Sequence, residues 1–477
     1  NPVQNNKMGF IKYIFPAVLF LSGTSLKAQD SLKTLSATQV MEIVKKFHPV
    51  AKQADIFVEK AKADVTISKA AFDPVLKNEM AQKTFDGIDY YYYNRPELSI
   101  PTWFGIEVSA GLEYLSGNRT DPVETKGQTS YLGVSVPLAK NLLMDKRRAA
   151  LQTAKIFRDA SAIEKRNMLN NLMLDAMASY WNWVKQYQVY KILTEALTVN
   201  EKRVELIKTA FRLGDRPAID TIEALTQLQN IELMKNQAWL DFQNTGLELS
   251  VFLWLANATP FNMSIDIVPG DDLQLSNIAT EQLPDLNNLL ESAIKNHPEL
   301  VIYNYKIDVL NVDKKLKFQD LLPTVNFRYN QLGKGYDMRK TFINPLFENN
   351  YQYGLSVGIP LRLSQGRGEY RKAKLKITET QLQQRQKQLQ VENKVKSYFN
   401  ELLTLKSQVA LQEKALINYQ ALQRGEEIRF QAGESSLFLI NARENKTLEA
   451  LQKLQELKAK YYKTGNTLQW AAGLMIQ

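Results

Sequence analysis

The chain has 477 residues, 44% apolar and 23% charged, with 60 lysines and arginines against 50 aspartates and glutamates. That apolar content excludes wholesale disorder, and the lack of any cysteine excludes disulfides, thiol chemistry and a lipidated N-terminal cysteine. The net charge of +10 includes Lys7, Lys12 and Lys27 in an N-terminal leader, so the rest is nearer +7, and its charges alternate in sign, as in Glu201, Lys202, Arg203, Glu205 and Lys208; such mixing marks a solvated helix face rather than a nucleic-acid patch.

Residues 1–29 read as a secretory signal peptide: Lys7 and Lys12 flank Met8, the apolar run 14–23 follows, and small or polar residues lead to Ala28 and Gln29. That run is shorter than the roughly 20 residues a spanning helix needs. Nothing longer follows; 251–256 is the nearest. An exported chain without a helical span is periplasmic, secreted, or an outer-membrane β-barrel.

The remainder reads as one unit used twice, over 30–270 and 271–477. His48-Pro49 and Pro74-Val75 recur 249 positions on as His297-Pro298 and Pro323-Thr324. Ala154-Lys155, Leu213-Gly214 and Thr245-Gly246 recur 219 positions on as Ala373-Lys374, Ala432-Gly433 and Thr464-Gly465, and Val136-Pro137-Leu138 returns as Ile359-Pro360-Leu361. Each unit begins with a helix, 38–71 or 286–320, whose apolar residues recur every three to four positions until Pro74 or Pro323 stops it.

Beyond these stops, over 74–138 and 323–361, the period changes to two. Ile106, Val108, Ala110, Leu112 and Tyr114 alternate with Glu107, Ser109, Gly111 and Glu113, and Leu132, Val134 and Val136 with Tyr131, Gly133 and Ser135. In the second unit Val325, Phe327 and Tyr329 alternate with Thr324, Asn326, Arg328 and Asn330, and Tyr351, Tyr353, Leu355, Val357 and Ile359 with Gln352, Gly354, Ser356 and Gly358. The pattern predicts strands with one apolar and one polar face, as in an outer-membrane barrel or a soluble sandwich. The first β region is 26 residues longer and includes Tyr90 to Tyr93, which suggests an additional hairpin.

Two long helical hairpins follow, over 142–256 and 366–475. Met173, Met177, Tyr180, Val184 and Tyr187 keep a three-and-four spacing, as do Val395, Tyr398, Leu402, Leu405, Val409, Leu416 and Tyr419, with Gln412 the polar interruption; that is coiled-coil packing. Glycine-bearing turns, Leu213-Gly214-Asp215 and Ala432-Gly433-Glu434, break each hairpin. The constant offset of 219 makes the hairpins equal in length, as arms standing side by side in one cylinder need to be.

Catalytic constellations are scarce. His48 and His297 are the only histidines, each followed by proline, which reads as a structural element; no HExxH or GxxxxGK[ST] motif occurs. No catalytic, cofactor or metal residue is expected. Phe72-Asp-Pro-Val75, Asn296-His-Pro-Glu-Leu300, Ile359-Pro-Leu361 and Phe430-x-x-Gly433-Glu-Ser-Ser, in this order, resemble the TolC-type outer membrane efflux protein family.

The resemblance covers nearly the whole mature chain and implies a homotrimer. Each protomer would give four strands to a shared 12-stranded barrel and its helices to a periplasmic α-helical tunnel. The implied function is a passive export duct of a tripartite efflux pump or type I secretion system in a Gram-negative outer membrane. Implied partners are a periplasmic adaptor (membrane fusion) protein and an inner-membrane transporter of RND or ABC type. The rival reading is a periplasmic or surface coiled-coil scaffold or adhesin.

The two turns would then be the periplasmic tip that meets the adaptor. Asp220 and Glu223 match an acidic pair of the family pattern; the second unit has Leu439 and Ala442 in that register. The closed entrance is thus either acidic, with Glu434 or Glu444 contributing, or apolar, with Phe438 and Leu439. Asp220, Glu223, Asn441 and Arg443 are expected to tie neighbouring hairpins together. Glu107, Glu113 and Arg328 are expected in the barrel lumen, because charge on the lipid face costs up to about 2–4 kcal/mol.

Overall fold

A computed structural model describes residues 34–120, 125–270 and 278–476; the leader read over 1–29 lies outside the described residues. The chain begins with β1 (Thr34–Leu35), α1 (Ala37–Phe47) and α2 (Pro49–Lys69). Four strands follow, β2 (Val75–Phe85), β3 (Ile88–Pro101), β4 (Glu107–Ser116) and β5 (Gly127–Pro137), before the long α3 (Lys146–Arg212) and the returning α4 (Ala218–Ser250). Next come β6 (Val268–Pro269), α5 (Leu286–Asn296), α6 (Pro298–Gln319), β7 (Thr324–Lys334), the short α7 (Met338–Ile343) and β8 (Tyr351–Gly358). The hairpin of α8 (Ser364–Gln431) and α9 (Leu437–Ala471) ends the described chain.

The helix expected over 38–71 is two helices, and so is that over 286–320. The histidine of each His-Pro step adopts an extended backbone, ends one helix and caps the next, its Nδ1 accepting the N–H of Val50 or Glu299 at 3.1 and 3.3 Å. Proline at the first helical position needs no N–H partner, so the step starts a helix instead of breaking one. Gly473, at φ +70°, lets the end of the second hairpin rest on this corner; a Cβ there would lie 3.0 Å from the His297 Cα.

His297 is buried, and burial, with Lys387, Lys394 and Arg166 adding positive charge against Glu299, pushes its pKa down to about 4. The unfolded chain therefore takes the proton first. Stability is unaffected above pH 6.5, falls between pH 6.5 and 4, and is level below, at a cost of up to about 3 kcal/mol. Hydrogen exchange at the α5–α6 junction, corrected for intrinsic rates, should accelerate from pH 7 to 5, and His297→Asn, a cap that does not titrate in this range, should flatten the response.

One sheet carries β2-β3-β4-β5-β7-β8 in that order, every neighbour antiparallel. The additional hairpin expected in the first half is part of this sheet, so the chain carries two strands beyond the four that the resemblance implies for a shared barrel. The extra first-half segment is not an appendage but the hairpin β2–β3, joined at Asp86-Gly87 and hydrogen-bonded to β4. Sequence alternation is weaker there because Asn78, Gln82 and Asn94 interrupt the apolar face and Pro96 sits inside β3.

The helical arms are 67 and 33 residues in the first hairpin and 68 and 35 in the second. At 1.5 Å per residue the long members reach roughly 100 Å. Apolar stripes zip each hairpin: Met173, Met177, Tyr180 and Val184 are buried in one cluster with Trp183, Phe242 and Leu249, and Val395, Leu402, Leu405 and Val409 in another with Leu454, Leu457 and Leu468. Gln412 is satisfied by the Ala450 carbonyl at 3.0 Å. Towards the tip the packing order across the chain is α4, α3, α9, α8; towards the sheet it is α2, α3, α6, α8. No described helix is long and apolar enough to cross a membrane.

Candidate functional site: a two-faced sheet and a polar lock at the tip

The strand register gives the sheet two chemically distinct faces. Glu107, Ser135, Arg328 and Gly354 form one cross-strand row, whereas Val136, Phe327 and Leu355 form the neighbouring row on the other face. Glu107 and Arg328 line a cleft of about 1060 Å³ where the strands meet the helices, together with Lys140, Asp145 and Asp320. Glu113 lies on the same face farther along β4, 3.9 Å from Arg95. Spin labels at Val108 and Phe327 in a bilayer-reconstituted sample should report lipid, and labels at Ser135 and Asn326 water; the opposite assignment would mean that the register is one residue out.

The polar face continues onto the hairpin that sequence reasoning could not place. Lys77 pairs with Glu97 at 3.0 Å, Tyr93 donates to Glu79 at 2.8 Å, and Ser99 donates to Glu107 at 2.7 Å. Tyr131 on β5 reaches across β4 to hydrogen-bond Glu97 on β3. Gly111 makes that reach possible, since a Cβ there would stand 2.6 Å from the Tyr131 ring.

At the opposite end both turns close identically. Gly214 and Gly433 take φ +81° and +79°, and the following N–H groups, Asp215 and Glu434, reach back to the carbonyls of Ala210 and Arg429 at 2.9 Å. Glycine meets the left-handed requirement without strain. Leu213, Phe438 and Leu439 are exposed at this end.

The four expected tip residues divide. Asn441 on α9 donates to Glu223 on α4 at 3.4 Å, joining the hairpins. Asp220 lies 3.9 Å from Arg216 on its own hairpin; it is Arg216 that crosses, donating to the Phe430 carbonyl at 3.0 Å with its guanidinium 3.9 Å above the Phe430 ring. Arg443 meets Glu426 within the second hairpin at 3.5 Å, and a hydrogen bond from Ser435 holds the Glu426 carboxyl below its ordinary range.

The strongest link is one sequence reasoning did not assemble. Arg203 on α3 forks onto Glu444 on α9, at 2.7 and 3.2 Å, both side chains largely buried. Asn200 donates to the same carboxylate at 3.0 Å, and Gln227 on α4 donates to Asn445 at 2.8 Å. Such a bidentate pair is strong only where its remaining polar atoms are also satisfied, as here. The signal was present as polar pairs at helical spacing, Asn200 with Arg203 and Asn441 with Glu444, set into apolar stripes. Glu444 is therefore buried between the two hairpins of the chain, paired with Arg203.

The chain therefore combines a two-faced antiparallel sheet with two long helical hairpins whose tips are tied by polar contacts. Residues 289–474 match the model of the outer membrane efflux protein family. No curated relative matches the sequence. The CmeC outer membrane channel of Campylobacter jejuni is 15% identical, over 92% of this chain and 86% of its own, with a TM-score of 0.62. The outer membrane protein VceC of Vibrio cholerae is 14% identical, over 92% and 96%, at 0.62; the open MtrE outer membrane channel of Neisseria gonorrhoeae is 11% identical, over 92% and 89%, at 0.64. The chain is thus similar in fold to these outer-membrane channels, and residues 289–474 match the outer membrane efflux protein family in sequence.

Proposed function

We propose that the protein is the passive outer-membrane duct of a tripartite efflux pump or type I secretion system, working as a homotrimer in a Gram-negative cell envelope. The observation that carries this reading is the pair of unpartnered apolar seams on the two sides of the chain. On α8, Leu375, Leu382, Leu389, Leu403 and Ile417 recur at seven or fourteen residues and are all exposed; on the opposite side Ile219, Leu233, Leu240 and Leu247 do the same on α4, and Ile56 and Ile67 are exposed on α2. Heptad-spaced leucines facing water on the outermost helices call for a partner helix. A second copy supplies one: its α2 and α4 cover α8, and repetition around a threefold axis closes a tunnel.

The sheet asks for the same closure, because an open strand edge is not tolerated in lipid. Such a duct has no energy source of its own. An inner-membrane transporter of RND or ABC type and a periplasmic adaptor, docked at Leu213, Gly214, Asp215, Ala432, Gly433 and Glu434, supply drive and contact. The protein should require detergent for extraction and crosslink as a trimer. A water-soluble monomer would instead support the coiled-coil scaffold reading.

A further inference from the structure

We propose that the hairpin β2–β3 is barrel wall, so that β8 of one copy pairs with β2 of the next and three copies close an eighteen-stranded barrel rather than a twelve-stranded one. The inference rests on the threefold duct reading above and concerns which strand forms the joint. Closure between β8 and β4, with the hairpin peeled away, is the alternative that the four-strand pattern implies.

Four observations favour β2. First, β3 is paired with β4 in one register from Pro101↔Glu107 to Tyr92↔Ser116, interrupted at Arg95 and Pro96, and the six strands alternate in direction, so the outermost two run oppositely and can join antiparallel. Second, the hairpin obeys the two-faced rule of the rest of the sheet. Lys77, Glu79, Arg95 and Glu97 continue the polar face, while Leu76, Met80, Leu98 and Ile100 lie exposed on the apolar one.

Third, the hairpin is held from both sides. Tyr131 spans the gap left by Gly111 to reach Glu97, Arg95 faces Glu113, and the loop between β3 and β4 is seated on α3: Arg148 fills the space beside Gly105, which has φ +95°, and donates to the Phe104 carbonyl at 3.5 Å. Peeling the hairpin off would strand these charges at the membrane wall. Fourth, the edges coincide with the helical seams. β2 continues from α2 and β8 leads into α8, so the contact that buries the leucine seams brings β8 of one copy alongside β2 of its neighbour. All eight residues of β8 are exposed in the single chain.

A cysteine-free chain makes the test clean. Ser356→Cys on β8 is combined, one at a time, with Lys77→Cys, Glu79→Cys or Ala81→Cys on β2, and with Ser109→Cys or Glu113→Cys on β4, and outer membranes are oxidised before non-reducing electrophoresis. Covalent trimers are expected with at least one β2 position and with neither β4 position. A trimer whose β8 links to β4, or to none of the β2 positions, overturns the wall assignment and leaves the duct reading standing; absence of any trimer removes both. The unmodified protein gives an independent reading, since barrel diameter grows about linearly with strand number: electron cryomicroscopy should show a barrel roughly 1.5 times as wide as a twelve-stranded one, and a twelve-stranded width overturns the proposal.

Discussion

Replacing Glu444 by alanine should loosen the tip more than any other single substitution there. Its carboxylate is the shared acceptor for Arg203 and Asn200, and removing it leaves a largely buried guanidinium without a counter-charge. Losing one member of a buried pair costs about 3–5 kcal/mol, whereas replacing both members by apolar residues of similar size is often neutral. Glu444→Ala should therefore lower the melting temperature of the extracted protein and raise hydrogen exchange around 200–207 and 437–445. The double variant Arg203→Leu with Glu444→Leu should recover most of the stability.

The pair of variants separates structure from gating. If the link holds the hairpins in the closed arrangement, the single variant also raises channel conductance several-fold. If conductance stays at the parent value while stability falls, the cluster is packing alone. Asp220 and Arg443 are weaker levers, because each is tied within its own hairpin.

Placing a carboxylate in the helical seam should have the second largest effect, abolishing assembly. Leu389 and Leu240 lie on the outermost helices and contact nothing that would bury them in a single chain. If a neighbouring copy covers them, each contributes about 1.5–3 kcal/mol and does so three times per trimer. Leu389→Asp and Leu240→Asp should then each yield monomers by light scattering in detergent with the helical content unchanged, while Leu389→Met keeps the trimer. A trimer that persists in both aspartate variants would show that these faces are not the joint.

Much of this architecture was legible in one sequence because its physical signals are local. Period-two alternation after Pro74 and Pro323 located β4, β5, β7 and β8, and the three-and-four stripes located the buried seams of both hairpins, down to Met177 and Val395. The His-Pro steps misled only in part: proline was read as interior to one helix, whereas the extended histidine before it caps a second. Their identical use explains why the dipeptide occurs in both halves.

What was not legible depended on contacts between distant segments. The hairpin β2–β3 was expected but not placed, because polar residues and Pro96 break its alternation; its place follows from the pairing of β3 with β4 and from Tyr131, which reaches Glu97 across the space at Gly111. At the tip, Arg203 and Glu444 are 241 positions apart, so charge content along either helix could not pair them. The turn glycines, by contrast, announced themselves, because a left-handed residue at a helix end is a local demand.

Single-channel recording of the detergent-extracted protein in a planar bilayer tests the central reading most directly. A trimeric duct should insert and give discrete, long-lived current steps that Leu389→Asp eliminates. A protein that stays in the aqueous fraction and gives no current at any concentration would contradict it.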